Sequence, residues 1–252
     1  MKKQVPNLIT LLNLLSGCVA AVYAFHDNLQ MTLLFVAIGI GFDFFDGLVA
    51  RLLQVQGELG KQLDSLADMV TSGLVPGIVM FQLLQDATGI TLFETGVEFT
   101  TASAQQHVLA YYIPWIGFFI TAASCYRLAK FNIDTRQTDS FIGLPTPANA
   151  LFIISLGLIA QTTQIDWIYF SLNNEWVLLA ITALSCYILN AELPLFALKF
   201  KSFSIAKNKL RYGFLVTCIV LLSLLGLLAI PCIIILYVAL SMITEFISSK
   251  KS

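Results

Sequence analysis

Four aspartates, Asp43, Asp46, Asp64 and Asp68, lie within an otherwise strongly apolar stretch of this chain. A charged side chain at the centre of a membrane helix costs about 2.5–3.5 kcal/mol on insertion scales, so these carboxylates need a reason to be there. Asp43 and Asp46 are separated by one helical turn, as are Asp64 and Asp68, so each pair shares a helical face. Because hard divalent cations prefer oxygen ligands and Mg²⁺ bridges carboxylates to phosphates, the pattern predicts a metal site for phosphate chemistry.

Small residues and one arginine share these faces. Gly47, Ala50 and Arg51 follow the first pair at helical spacing, and Gly60 precedes the second pair by one turn. The small residues would let a nucleotide and its diphosphate lie against the backbone, and Arg51 can clamp phosphate with two parallel hydrogen bonds. A two-metal site about 3.5–4 Å across suits displacement at phosphorus, because it stabilises the attacking and leaving oxygens.

The charges alone leave a second interpretation open. Asp43 or Asp46 could pair with Arg51 or Lys61 in a buried ion-pair network, or the acids could form a proton pathway, as in transporters. An ion-coupled transporter built on them would have paired discontinuous helices in two related halves. The sequence shows no such internal symmetry, and the acids crowd into one helix pair.

Composition identifies the elements that must position these residues. Of 252 residues, 58% are hydrophobic and 12% are charged, against about 25% charged in soluble domains. The fold class predicted is all-α, a polytopic transmembrane helix bundle of about eight spans, forming one integral membrane domain over 1–252 with the catalytic helices at about 31–84. The expected spans are 6–25, 31–54, 60–84, 108–130, 146–163, 174–191, 212–229 and 231–247. Pro231 interrupts the last apolar stretch, so one long kinked helix is the alternative to the final two spans.

Charge distribution predicts the orientation. With eight spans, all 14 Lys and Arg residues fall on one side, whereas the loops of the other side carry only acidic charges. The positive-inside rule then places both termini and the acidic cluster at the cytoplasmic face, as in a multi-pass protein of the bacterial inner (cytoplasmic) membrane. The basic segment 192–212 is either a cytoplasmic loop or an interfacial segment that touches anionic lipid headgroups. A net charge of −1 gives no indication of a nucleic-acid partner.

The acidic string resembles a known family signature. Asp43-x-x-Asp46-Gly47-x-x-Ala50-Arg51, eight residues, then Gly60-x-x-x-Asp64-x-x-x-Asp68 is similar, at every defined position, to the signature of the CDP-alcohol phosphatidyltransferases. Further segments resemble the branch of CDP-diacylglycerol–serine O-phosphatidyltransferases (phosphatidylserine synthases): 6–10 with Asn13 and Gly17, 64–68, 125–132 and 141–150. One departure is Thr71-Ser72-Gly73, where Ser-Phe-Gly is expected.

The resemblance implies roles for individual residues. Asp43, Asp46 and Asp64 would hold two divalent ions, Mg²⁺ or Mn²⁺, and Asp68 would both touch metal and act as general base. Gly47 and Arg51 would bind the CDP moiety, next to Ala50 and Gly60. Asn7 and Thr10, at the cytoplasmic start of the first span, would reach the nucleotide or diphosphate.

The resemblance also implies the reaction and the partners. CDP-diacylglycerol, with its acyl chains in membrane lipid, would transfer its phosphatidyl group to L-serine and yield phosphatidylserine and CMP; a homodimer follows from analogy with dimeric relatives. Arg127, Lys130 and Asn132 would bind serine, although they equally fit positive-inside anchors. The segment 143–147 is predicted to form a stiff loop that starts the fifth helix, or else to line the acceptor site. The acidic motif alone also allows glycerol 3-phosphate, inositol or inositol phosphate as acceptor.

Overall fold

The described part of the chain folds almost entirely into helices. The structure, a computed structural model, describes residues 4–89, 111–134, 141–195 and 208–249. Its α-helices are α1 (Gln4–Phe25), α2 (Leu29–Leu52), α3 (Glu58–Asp68), α4 (Val75–Thr88), α5 (Phe119–Ile133), α6 (Thr146–Thr162), α7 (Asp166–Leu172), α8 (Glu175–Asn190), α9 (Lys209–Leu225) and α10 (Ala229–Ser249). A π-helical segment, Met69–Leu74, joins α3 to α4, and the 3₁₀ turns Pro114–Phe118 and Gly226–Leu228 precede α5 and α10. Two-residue strands, β1 (Phe141–Ile142) and β2 (Pro194–Leu195), pair antiparallel.

Several helices are long and apolar enough to cross a membrane. Within the described residues four such segments occur, namely Gln4–Phe25, Leu29–Leu52, Glu58–Thr88 and Leu210–Thr244, and a fifth arises if α7 and α8, bent by 69°, form one span. The predicted helical membrane bundle is therefore confirmed, whereas the number of eight spans stays a prediction. The predicted span 60–84 is part of a longer helix, because α3, the π segment and α4 continue without a break.

The segment Leu210–Thr244 turns back on itself. The rings of Phe214 and Tyr237 lie 5.9 Å apart, whereas one straight helix with a rise of about 1.5 Å per residue would separate them by about 35 Å. Gly226, with φ 54° and ψ −124°, breaks the helix in a conformation that favours glycine. The predicted pair of helices is therefore confirmed over the alternative of one kinked helix, and the turn lies at Gly226 rather than near Pro231, which the first turn of α10 tolerates.

Helix α1 shows the inside-out pattern of a membrane protein. Its buried face carries Thr10, Asn13 and Gly17, at a spacing of three or four residues, whereas Leu8 and Leu15 on the opposite face are each 59% exposed. Such an arrangement would be unstable in water, but lipid solvates the leucines while polar and small groups mediate helix–helix contacts.

Two glycines bring α1 and α2 against the π segment. A Cβ atom at Gly17 would lie 2.9 Å from the Cα atom of Thr71, and one at Gly39 would lie 2.7 Å from its Cγ2 atom. Only residues without a side chain allow this approach, which sets Thr71 between the two helices. The largest part of the interior is an apolar cluster centred on α4 and α6, with residues such as Ile78, Met80 and Ile153 fully buried.

Part of the predicted sidedness concerns residues outside the described ranges. These are Lys2, Lys3, Glu94, Glu98, Arg136, Lys199, Lys201, Lys207, Lys250 and Lys251. The choice between a loop and an interfacial segment for 192–212 therefore stays open.

The close approach at Gly17 generates the first prediction. Gly17→Ala should lower the unfolding temperature of the purified protein in detergent, because the added methyl group meets backbone atoms of Thr71; overpacking of this kind costs about 1–3 kcal/mol. Gly41→Ala is the matched control, since a Cβ there meets no atom within 4 Å and alanine favours helix by about 1 kcal/mol. Equal thermal unfolding curves for the two variants would contradict the proposed contact.

Candidate active site

Three carboxylates converge between α2 and α3. Ligand oxygens of Asp43, Asp46 and Asp64 all lie within 4.8 Å of one another. Asp46 is buried and the other two are half-buried. Residues 53–57 connect the two helices, both of which pack against α1, and the one-turn spacing of Asp43 and Asp46 places both carboxylates near Asp64.

Neither predicted basic partner forms an ion pair with this triad. The Nε atom of Arg51 donates a hydrogen bond to the carbonyl of Gly47 at 2.9 Å, and the Nζ atom of Lys61 donates to the carbonyl of Asn132. Among the described residues the recorded ion pair joins Lys130 to Glu192 at 3.5 Å, away from the triad. The ion-pair interpretation of the acidic residues is therefore wrong for this structure.

The donor set fits a divalent cation. Three carboxylates held this close repel one another, and among the described residues no Lys or Arg forms an ion pair with them. Carboxylate oxygens are the ligands of hard cations such as Mg²⁺. Asp43, Asp46 and Asp64 can thus hold metal, as the sequence predicted for these three.

Asp68 occupies a different position from the triad. It lies one turn further along α3, is 9% exposed, and accepts a 3.1 Å hydrogen bond at Oδ1 from the Nδ2 atom of Asn13. Its charge acts on Asp43 and Asp64 without its oxygens joining their cluster. The predicted double role of Asp68, as metal ligand and as base, stays a prediction.

An open cleft of about 660 Å³ lies beside the triad. All six residues expected to bind the nucleotide lipid line it: Asn7, Thr10, Gly47, Ala50, Arg51 and Gly60. Asp46 and Asp64 form part of the same wall, so the cleft and the triad are continuous. A Cβ atom at Gly47 would meet no protein atom within 4 Å. The protein's own packing therefore does not explain why glycine stands there, and space for a ligand does.

Thr10 contributes in a way the motif did not indicate. Its hydroxyl contacts the Oδ2 atom of Asp46 and also lies 3.1 Å from the carbonyl of Pro6. Thr10, which was expected to reach the nucleotide, thus holds a carboxylate of the triad. The threonine also lines the cleft.

The three residues expected to bind serine separate in the structure. Arg127 is 7% exposed and donates a 3.4 Å hydrogen bond to the carbonyl of Gly143. Lys130 is half-buried and pairs with Glu192. Asn132 donates to the Oγ atom of Ser65 at 2.8 Å and so links α5 to α3. Only Arg127 points into the interior near Asp68, with which it interacts electrostatically.

Sequence reasoning left the role of Asn13 unassigned. The residue is fully buried, lies one turn after Thr10 on the inner face of α1, and binds Asp68. That one-turn spacing was the available signal, because an asparagine on the same face of α1 as Thr10 faces the same acidic helices, although it meets Asp68 where Thr10 meets Asp46. Lys61 and Ser65, which contact Asn132, carried no comparable signal.

Comparison with known proteins identifies a family. The family described as "CDP-alcohol phosphatidyltransferase" matches residues 3–189. A Bacillus subtilis (strain 168) protein named CDP-diacylglycerol–serine O-phosphatidyltransferase is 30% identical over 156 residues, which are 60% of this chain and 74% of that protein. A Helicobacter pylori (strain J99) protein of the same name is 33% identical over 151 residues, 59% of this chain and 55% of that protein.

A relative from an archaeon is also similar. The archaetidylserine synthase of Methanothermobacter thermautotrophicus is 25% identical over 182 residues, 71% of this chain and 65% of that protein. The chain thus spans about three quarters of the length of the first relative but less than two thirds of the other two.

The empty space above Gly47 generates the second prediction. Gly47→Ala should leave the unfolding temperature unchanged or slightly raised, because the methyl group meets no protein atom and alanine favours helix. The same methyl group would reduce the space for a nucleotide diphosphate in the cleft. We expect the KM for a CDP-linked lipid to rise about tenfold, measured by initial rates in detergent micelles. An unchanged KM would show that the cleft floor at Gly47 does not touch the ligand.

Proposed function

This chain belongs to the CDP-alcohol phosphatidyltransferase family, and we propose that it transfers the phosphatidyl group of CDP-diacylglycerol to L-serine, giving phosphatidylserine and CMP. The observation that carries the proposal is the carboxylate triad opening onto a cleft lined by Gly47, Arg51 and Gly60. Metal ligands and a phosphate-sized space on the same wall suit a diphosphate donor, which the relatives' names also indicate.

Binding of the donor is the first step. The cytidine diphosphate lies in the cleft against Gly47, Ala50 and Gly60, while the acyl chains stay in lipid. The guanidinium of Arg51 is exposed at the rim of the cleft, where its free N–H groups can bind phosphate oxygens. When bound by the triad, divalent ions such as Mg²⁺ or Mn²⁺, two according to the resemblance, supply positive charge to the diphosphate.

Proton transfer from the acceptor follows. Asp68 takes the proton of the serine hydroxyl at its Oδ2 atom, because Oδ1 already accepts from Asn13. The hydroxyl oxygen forms a bond to the lipid-side phosphorus while the bond from that phosphorus to the bridging oxygen breaks. CMP leaves with the bonding electron pair, and Arg51 stabilises its charge.

Support for serine comes from buried polar atoms. The Nε atom of Arg127, which interacts electrostatically with Asp68, and both polar side-chain atoms of Asn149 are buried without a hydrogen-bond partner among the described residues. Buried polar groups are normally paired, and an unpaired one costs about 1–3 kcal/mol, so a polar ligand would stabilise them. The α-carboxylate of serine fits the guanidinium of Arg127. We assign Lys130 and Asn132 to anchoring α5 rather than to the acceptor.

The choice of serine over other acceptor alcohols rests on the comparison with relatives. Glycerol 3-phosphate or inositol phosphate would use the same acidic triad, and their phosphate would also bind Arg127. The names of two relatives favour serine. The Bacillus subtilis protein is named for phosphatidyl transfer to serine and the archaeal protein for archaetidylserine, so the two names differ in the lipid but share serine. The ion-coupled transporter has no support once the family is known.

The third prediction concerns the acceptor. Purified protein supplied with CDP-diacylglycerol and Mg²⁺ or Mn²⁺ should release CMP when L-serine is added, and little with glycerol 3-phosphate, inositol or inositol phosphate. Release of CMP would be measured by chromatography, with phosphatidylserine identified by mass. CMP formed only with one of the other acceptors would refute the serine assignment while keeping the family chemistry.

Asp68→Asn serves as the matched inactive variant in that assay. Because the amide cannot accept a proton, turnover should fall by about 10²–10⁴-fold, a typical contribution of a positioned general base. Binding of CDP-diacylglycerol, followed by its thermal stabilisation of the protein, should persist. Turnover close to wild type would remove Asp68 as the base.

We propose eight membrane crossings with both termini in the cytoplasm, in a bacterial inner membrane, so that the site faces the cytoplasmic pool of serine. The antiparallel pair α9–α10 supplies the last two crossings. The 2.7 Å hydrogen bond from Gln161 to Asp27 joins the C-terminal end of α6 to the turn after α1. If each of α2, α3–α4, α5 and α6 crosses the membrane in the opposite direction to the one before it, these two ends lie on the same side, which agrees with this bond. The homodimer implied by the resemblance is kept as a proposal, open to light scattering in detergent.

The fourth prediction tests this topology. Fusing a reporter that is active only in the cytoplasm to either end of the full chain should give active reporter in both cases. The same reporter inserted after Asp27 should be inactive, because this turn lies at the opposite end of the bundle. A terminus found outside would overturn the even number of crossings.

A further inference from the structure

A three-residue hydrogen-bond chain runs through the interior to the proposed base. The hydroxyl of Thr71 lies 2.8 Å from the Oδ1 atom of Asn13 and 3.1 Å from its backbone carbonyl. The Nδ2 atom of the same asparagine donates to the Oδ1 atom of Asp68 at 3.1 Å. Thr71 and Asn13 are completely buried, so solvent does not compete for these bonds.

The direction of this chain follows from the chemistry of its members. An ionised carboxylate only accepts hydrogen bonds, so the amide nitrogen of Asn13 must face Asp68. The amide oxygen therefore faces Thr71, whose hydroxyl donates to it. If the amide turned over, its oxygen would oppose the carboxylate of Asp68. In the observed orientation the hydroxyl of Thr71 donates to the amide oxygen and so holds the amide with its nitrogen towards Asp68.

Packing holds Thr71 itself in a single position. Its Cγ2 atom faces Gly39 on α2 and its Oγ1 atom faces Gly17 on α1, both at distances that leave no room for a Cβ on either glycine. A β-branched side chain has few χ1 rotamers, so this double contact fixes the hydroxyl. The π-helical turn that begins directly after Asp68 carries Thr71 towards α1, and π-helical turns often mark functional sites.

We propose that Thr71 is a positioning residue for Asp68, acting through Asn13. The hydroxyl orients the amide, the amide holds Oδ1 of Asp68, and Oδ2 is left to meet the acceptor hydroxyl. Among the described residues no protein donor is recorded for that second oxygen. This inference rests on the proposed role of Asp68 as base. The hydroxyl that carries this role is also present in the serine expected at this position.

Two substitutions separate positioning from packing. Thr71→Val keeps the shape and the methyl contact with Gly39 but removes the hydroxyl, whereas Thr71→Ser keeps the hydroxyl and removes the methyl group. If Thr71 positions Asp68, Thr71→Val should lower kcat by about 10–100-fold, the usual effect of losing such an outer partner, and Thr71→Ser should stay within about threefold of wild type. A residue that only packs would give the reverse order, since serine leaves a cavity beside Gly39.

Further readouts exclude a general loss of structure. The KM for CDP-diacylglycerol and the unfolding temperature of Thr71→Val should stay close to wild type. Thr182→Val is the matched control: its hydroxyl is also buried and, within the described residues, bonds to the carbonyl of Leu178 at 2.9 Å and to no acidic side chain, so kcat should not change. The double variant Thr71→Val/Asn13→Ala should be no slower than Asn13→Ala alone, because both act through one chain.

The outcomes distinguish this inference from the proposed function. If wild type releases no CMP with serine, the acceptor assignment fails, and the two threonine variants are then compared with whichever acceptor supports release. If wild type is active and Thr71→Val matches it, or if Thr71→Ser is the slower variant, the positioning role is refuted while phosphatidyl transfer stands.

Discussion

Three carboxylates held within 4.8 Å of one another, with no ion pair to a Lys or Arg in the described part of the chain, are the constraint on which this structure depends. Their mutual repulsion opposes folding, so the surrounding packing must hold α2 and α3 together. Glycine contacts of α1 and α2 with the π segment, and the contact of Thr10 with Asp46, do so from one side. Repulsion of this kind is also what gives a divalent cation its affinity, so the strain and the predicted metal site have the same origin.

Lipid as solvent explains the distribution of residues around that site. In α1 the polar and small residues face inward and leucines face outward, the reverse of a soluble helix. Hydrogen bonds between helices therefore carry much of the specificity: Asn13 to Asp68, Asn132 to Ser65, and Gln161 to Asp27. The outward faces need only be apolar, which is why the C-terminal hairpin, mostly exposed, leaves little pattern in its sequence beyond hydrophobicity.

The three residues expected to bind serine show the limit of prediction from positions close together in the sequence. Arg127, Lys130 and Asn132 are close in sequence and were expected to act together, yet their side chains point in different directions from α5. One enters the interior, one reaches a glutamate on a separate loop, and one binds α3. Helical geometry points the side chains of these three residues to different sides of α5. Which of the three side chains faces the site depends on the helices packed around α5.

The sequence by itself indicated the membrane class from composition, and the pairing of the acidic faces and the cleft residues Gly47, Ala50, Arg51 and Gly60 from spacing within one helix pair joined by a short link, whereas Asn7 and Thr10 came from the family resemblance. The tertiary structure alone decided that Asp68 stands apart from the triad, that Asn13 and Thr71 hold it, and that the last apolar stretch folds back at Gly226. Those features depend on contacts between residues far apart in the chain, such as Asn13 with Asp68 or Phe214 with Tyr237. Periodicity within a segment carries no information about such contacts.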